Sequence, residues 1–357
     1  MNRFRFCLVA ALAALAPHLV FAADAKKASA TKLDDDFFLQ GEYAGPVQSA
    51  GGAPAWTGVQ VVALGDGAFE AVEYAGGLPG NGWDMHSRRK FAGEMVSAGI
   101  AELSGDERRL TVRRGSVAIR DASGRLLGRL PKFQRMSRTL KAPPPRGANV
   151  LFSGRDARDF TRGIVTTDHL LLAGADTKES FGDLTVHLEF RTPYMPNARG
   201  QGRGNSGVYI QGRYEVQILD SFGLEGADNE CGGIYKQRAP LLNMCFPPLT
   251  WQTYDIDFTA PRFDDSGKKT ANARITVRQN GIVIHKDVEL TDKTGGGAAE
   301  GPDARPLKLQ DHGNPVYFRN IWVVERSPSA GGKPAPADEK VTPRPIARST
   351  AFQAVRD

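Results

Sequence analysis

Cysteine is almost missing from this chain, with three in 357 residues and one of those at position 7. So few thiols exclude a disulfide-dense scaffold and a cysteine-built zinc cluster. Long apolar runs are equally scarce. Beyond the first two dozen residues no run of about 18 apolar side chains occurs, so no membrane span is expected. A concentrated basic stripe is also lacking. The formal charge is +6, and the excess is diffuse: Arg88-Arg89-Lys90 and Arg113-Arg114 are short, with acids between them. That argues against a nucleic-acid partner. Helical 3.6-residue periodicity is not evident, and no glycine fingerprint for a dinucleotide follows any strand-like segment.

Glycine and proline, by contrast, are plentiful at 40 and 22 residues, as a β-rich fold with many tight turns requires. Residues 1–23 read as a signal peptide: Arg3 and Arg5, the short apolar stretch Leu8 to Leu15, then small residues for cleavage after Ala22 or Ala23. Export to a periplasm or the medium is the expectation. In an exported chain the remaining pair, Cys231 and Cys245, is expected to form a disulfide closing a loop of about 15 residues.

Composition divides the rest. Residues 24–35 are a small, polar leader, and 36–140 a small all-β domain. Residues 141–148 form a linker stiffened by Pro143-Pro144-Pro145, 149–325 a larger all-β domain, and 326–357 a tail poor in large apolar residues. Gly58 to Leu64, a Gly65-Asp66-Gly67 turn and Phe69 to Tyr74 spell a hairpin, as does Ile275 to His285 around Asn280-Gly281. Strands at such spacing read as a two-sheet sandwich.

The polar side of these strands is chemically distinctive. It carries His187, Glu189 and Arg191; Asn205, Tyr209 and Gln211; Glu215 and Gln217; and Lys308, Gln310 and His312. Alternation puts each set on one face of its strand. Planar amides, carboxylates and imidazoles suit sugar hydroxyls better than the Lys, Glu and Thr of an ordinary solvated face.

Gly204-Asn205-Ser206-Gly207-Val208-Tyr209, Tyr214 to Asp220, Trp251-Gln252-Thr253-Tyr254 and Leu309 to Val316 with Phe318 to Ile321 together resemble the bacterial 3-keto-disaccharide hydrolase family, also described as 3-keto-glucoside 1,2-lyases and 3-keto-2-hydroxy-glucal hydratases. The resemblance spans about 175 residues. It implies an all-β fold, a concanavalin-like jelly-roll β-sandwich preceded by a small accessory β domain. It also implies a substrate already oxidised at C3 by a separate sugar 3-oxidoreductase. The ketone acidifies the C2 proton; a base removes it, the C1 substituent leaves, and water adds to the enone. His312 and Glu215 are the expected proton-transfer groups. Gln217, Gln310, Asn205, Arg191, Glu189, Asp220 and Tyr235 are expected to hold the sugar.

No cofactor is required by this route and no metal ligand is assigned. Asp255 with Asp257, or the turn Asp264-Asp265-Ser266-Gly267, could still take a divalent cation such as calcium, although neither has an EF-hand's ligand count. Two rival readings stand beside it. One is a non-catalytic carbohydrate-binding or adhesion module. The other is a retaining β-glycanase using Glu215 and Asp220, although Gln217 stands where such a strand carries a third carboxylate.

Overall fold

A computed structural model describes residues 33–49 and 52–327. The signal peptide expected at 1–23 and nearly all of the leader and tail lie outside the described residues.

Asp34 caps a single helical turn, α1 (Asp35–Leu39), by accepting the Phe37 N–H at 2.9 Å. Eight antiparallel strands follow: β1 (Gly41–Val47), β2 (Ala55–Gly65), β3 (Ala68–Ala75), β4 (Arg88–Ser97), β5 (Ile100–Ser104), β6 (Arg108–Arg113), β7 (Ser116–Asp121) and β8 (Leu126–Phe133). Each pairs with the next, and β8 returns to β1 through Glu42 opposite Phe133, closing a barrel. Closure leaves no unpaired edge. Period-two alternation turns Val59, Val61 and Ala63 of β2 inward against Leu110, Val112, Val117 and Ile119. Asp66 and Gly67, both at positive φ, make the β2–β3 hairpin turn.

The larger unit contains β9 (Asn149–Phe152), β10 (Phe160–Thr161), β11 (Leu171–Leu172), β12 (Ala175–Phe181), β13 (Leu184–Arg191), β14 (Ser206–Ile210), β15 (Tyr214–Ile218), β16 (Gln252–Thr259), β17 (Arg262–Phe263), β18 (Lys269–Ala271), β19 (Ala273–Gln279), β20 (Ile282–Leu290), β21 (Arg305–Leu309) and β22 (Tyr317–Glu325). One sheet runs β10-β12-β21-β14-β15. The other runs β11-β22-β13-β16-β19-β20, with β9 also on β22. Asn280 and Gly281, again at positive φ, form the expected β19–β20 turn. Leu184, Val186, Leu188 and Phe190 of β13 share a core with Val208, Val216, Ile218 and Leu309 of the five-stranded sheet. Each such buried side chain contributes about 1.5–3 kcal/mol. The result is the all-β sandwich anticipated from alternation.

The two units share side chains. Val62 of β2 belongs to the sandwich core, while Tyr194, just after β13, belongs to the barrel core. The connector is docked as well. Thr139 Oγ1 donates to Asp255 Oδ2 at 2.6 Å, Lys141 N–H to Glu189 Oε1 at 2.5 Å, and Ala142 O accepts from Asn320 Nδ2 at 3.0 Å. The chain just ahead of the prolines therefore lies along the outer face of the seven-stranded sheet.

Candidate functional site

The polar side chains anticipated as one surface divide between two. Register places Glu215 opposite Tyr209, and Tyr209 opposite Lys308, so these three form one row across β15, β14 and β21. Gln217 lies opposite Gly207, and Gln310 N–H donates to Gly207 O at 2.9 Å, making a second row. Both rows occupy the outer face of the five-stranded sheet, because Val208, Val216 and Leu309 between them point into the core.

Glu215 is the centre of this face. It is 2% exposed, and its carboxyl lies over Gly207, where a Cβ would stand 3.0 Å from its Cγ and Cδ. Burial pushes its pKa up to about 7, against the opposing pull of the Tyr209 hydroxyl and the Lys308 charge. Lys308 sits 5.2 Å over the Tyr209 ring and makes no ion pair among the described residues. Tyr209 donates to Gly295 O at 3.1 Å, which brings the loop around 294–297 over the row. Tyr209 and Lys308 stand on the polar side of their strands in the sequence, but neither is assigned a site role there. The β14–β15 register sets Tyr209 beside the carboxyl, and the β14–β21 register adds Lys308 to the row.

A chain of amides closes the other end. Gln201 Nε2 donates to Asn229 O at 2.7 Å, and Asn205 Nδ2 to Gln201 O at 2.8 Å. These backbone carbonyls orient both amides, so Gln201 Oε1 and Asn205 Oδ1 accept from Gln217 Nε2, each at 3.1 Å. Gln217 must then turn its own oxygen away. That oxygen is buried without a donor, and so is Gln310 Oε1. Two buried amide oxygens without a donor thus lie on this face. Tyr235 is half-buried at the border of this face, with its N–H donating to Glu215 O at 3.2 Å.

Several expected site residues lie elsewhere. His312 is exposed in the β21–β22 turn, whose Asn314 accepts the Asn205 N–H at 2.8 Å; no hydrogen bond or ion pair joins it to Glu215. β21 ends at Leu309, so the strand alternation used to align His312 with Lys308 and Gln310 no longer holds there. Glu189 and Arg191 belong to the outer face of the seven-stranded sheet, because β13 pairs with β16 and β22 rather than with β14. Glu189 is fully buried there. Despite burial, which acts to raise it, hydrogen bonds from His187, Asn320, Arg319 and the Lys141 N–H hold its pKa down at about 2. Arg191 lies against Trp251 and Tyr317, 5.0 and 5.5 Å from the ring centres. Asp220 is 3% exposed and tied to Arg203 Nε at 2.7 Å, which leaves no second free carboxylate beside Glu215. The acids considered for a cation are engaged within the fold: Asp255 with His187, Asp257 with Arg278, and Asp264 with its own turn.

Cys231 and Cys245, the expected disulfide pair, lie side by side and unbridged in this structure. Both are free, buried thiols. Cys231 Sγ accepts from Gln279 Nε2 at 3.2 Å and lies 3.3 Å from the Tyr254 hydroxyl, whereas Cys245 Sγ faces Leu219 O at 3.5 Å. The two sulfurs also lie within hydrogen-bond reach of one another. Among the described residues no helix is long and apolar enough to cross a membrane.

Residues 152–324 match the profile of the 3-keto-alpha-glucoside-1,2-lyase-like domain. A crystal structure from Parabacteroides distasonis ATCC 8503, provisionally named a glycosyl hydrolase, is 35% identical over 51% of this chain and 85% of that one, with a TM-score of 0.47. Two more from the same organism, named alike, are 17% and 19% identical. They cover 54% and 50% of this chain and 99% of their own, with TM-scores of 0.39 and 0.36. Nothing matches among curated proteins. Through its sandwich, this chain belongs to the 3-keto-alpha-glucoside-1,2-lyase-like family of carbohydrate-active domains.

Proposed function

We propose that the chain is an exported enzyme that cleaves 3-keto-glycosides, including 3-keto-disaccharides, with Glu215 moving the C2 proton. The observation that carries this reading is a buried carboxyl poised near neutrality among orphaned amide oxygens. A proton alpha to a ketone needs a base of moderate strength held out of water, and a carboxyl whose pKa is about 7 meets that need. Gln217 and Gln310, on the same face, hold sugar hydroxyls. The unpaired ammonium of Lys308, two strands from Glu215, stabilises the enolate oxygen that forms as C2 loses its proton. The C1 substituent then leaves, and water adds to the enone with Glu215 returning a proton.

The base role goes to Glu215 rather than to His312, which stands exposed in its turn; His312 is assigned to the leaving-group side. The 3-ketone must be supplied by a separate sugar oxidoreductase. A retaining glycanase needs two carboxyls about 5 Å apart, and the Arg203 ion pair of Asp220 opposes that role. A pure binding module would have no use for a carboxyl near neutrality.

The test offers full-length protein matched glucosides with and without the 3-keto group, in deuterated water. Turnover of the keto form alone, with deuterium entering C2, is the expected result. Equal turnover of the plain glucoside would overturn elimination, and binding without turnover would leave a lectin-like module.

A further inference from the structure

The segment between β13 and β14 faces two neighbours in alternation. Arg199 Nη2 donates to Leu64 O at 2.7 Å, and Arg203 Nη1 to Ala63 O at 3.2 Å, both carbonyls lying at the end of barrel strand β2. The Asn197 amide oxygen rests so closely over Gly65 that any side chain there would overlap it, and Gly65 itself is at φ +86°. Between and after these residues, Gln201 and Asn205 turn to the other side and hold Gln217. Arg203 is 5% exposed; its ion pair with Asp220, and the Asp220 N–H donating back to Arg203 O, fasten the segment to the end of β15.

Such a segment would not hold this shape by itself. Its only regular structure is the three-residue 3-10 turn Gly200–Gly202, and glycine recurs at 200, 202 and 204. Ordering glycine backbone carries a large entropic cost. The barrel offsets it with two fixed carbonyl acceptors, a notch at Gly65 and the packing of Phe37 on Tyr194, whose hydroxyl donates to Asp34 at 2.8 Å.

We infer that the barrel is a positioning element of the sugar site: the end of β2 holds residues 197–205 in place and thereby sets the amide chain from Asn229 through Gln201 and Asn205 to Gln217. Ala63, Leu64, Gly65, Asn197, Arg199 and Arg203 are positioning residues. This rests on the assignment of that face as the sugar site.

The test uses full-length protein in which Asn197→Ala and Arg199→Ala are combined; both side chains are exposed, so the fold is kept. Gly65→Ala approaches the same contact from the barrel. In both variants amide hydrogen exchange should quicken within 197–205. KM for a 3-keto-glucoside should rise about tenfold, with the pH midpoint of kcat unmoved. Glu225→Gln, which breaks a different contact to Arg88 and Lys90 of the barrel, should match wild type in both readouts. Unchanged exchange and KM in the double variant would overturn the inference, as would faster exchange spread over the whole sandwich. Wild-type protein without turnover of any 3-keto-glucoside would instead overturn the sugar assignment, while the exchange data would still decide whether the barrel orders the segment.

Discussion

The carboxyl of Glu215 occupies the space that a side chain at Gly207 would fill, one strand away and diagonally across the register. Gly207 is in ordinary extended backbone, so its lack of a side chain serves the neighbour and not the local conformation. Gly207→Ala should displace the carboxyl by roughly 1 Å and lower kcat/KM on a 3-keto-glucoside by about 10²-fold. The overpacking should cost about 1–3 kcal/mol, so thermal unfolding would show a folded, weaker enzyme.

Glu215→Gln should reduce kcat by about 10²-fold or more while keeping substrate affinity, as expected for loss of a general base. In wild type, kcat/KM should rise with pH through about 7, because only the ionised carboxyl accepts the C2 proton. Stability has the opposite trend. The folded pKa lies above the unfolded value, so the favourable contribution is complete below about 4.5 and is lost as pH rises through 7. Denaturant titrations at pH 4.5 and 8 should show that slope in wild type and a smaller one in Glu215→Gln.

On the opposite sheet, His187 lies between two carboxylates beneath the connector. Its Nδ1 is 2.6 Å from Asp255 Oδ1, its Nε2 is 3.9 Å from Glu189 Oε1, and its ring stacks on Trp322 with centroids 5.1 Å apart. Burial pulls its pKa down, but the two acids outweigh it and the net shift is upward. The stabilisation is therefore full below about 6.5 and lost as pH rises through the folded value. Trp322 fluorescence should change over that range in wild type and not in His187→Ala.

Glu189 has the reverse dependence. Its stabilisation is present above about 4.5 and is lost as pH falls toward 2. Glu189→Gln removes the carboxylate partner of Arg319 Nε, now at 2.6 Å, and should cost about 3 kcal/mol by chemical denaturation. Because this cluster lies on the other sheet, KM for the sugar should be unaffected.

Native protein should resist thiol reagents, since both sulfurs are buried and burial holds the Cys245 thiol well above its usual pKa. Denatured, unreduced protein should expose two reactive thiols at 231 and 245. A bridged pair would instead remain unreactive and appear 2 Da lighter by mass spectrometry.

Much of this molecule could be read along the chain. The alternation of Leu184 to Arg191 and of Tyr214 to Ile218 determines strands, since a period of two allows one buried face and one polar face. Asn280-Gly281 determines a hairpin, because both residues tolerate positive φ. Glu215 and Gln217 were legible as a polar pair on one strand for the same reason. Which strands lie side by side is a different matter, decided by pairings between residues far apart in sequence. Tertiary structure alone separates Glu189 and Arg191 from Glu215 by assigning β13 to the opposite sheet. It alone brings Lys308 into the row of Tyr209 and that carboxyl, through the long-range pairing of β21 with β14. Cys231 and Cys245 are two isolated letters in the sequence, and only packing brings their sulfurs together and buries them. The raised pKa of Glu215 has the same origin, for desolvation depends on everything that covers the group and not on its neighbours in the chain.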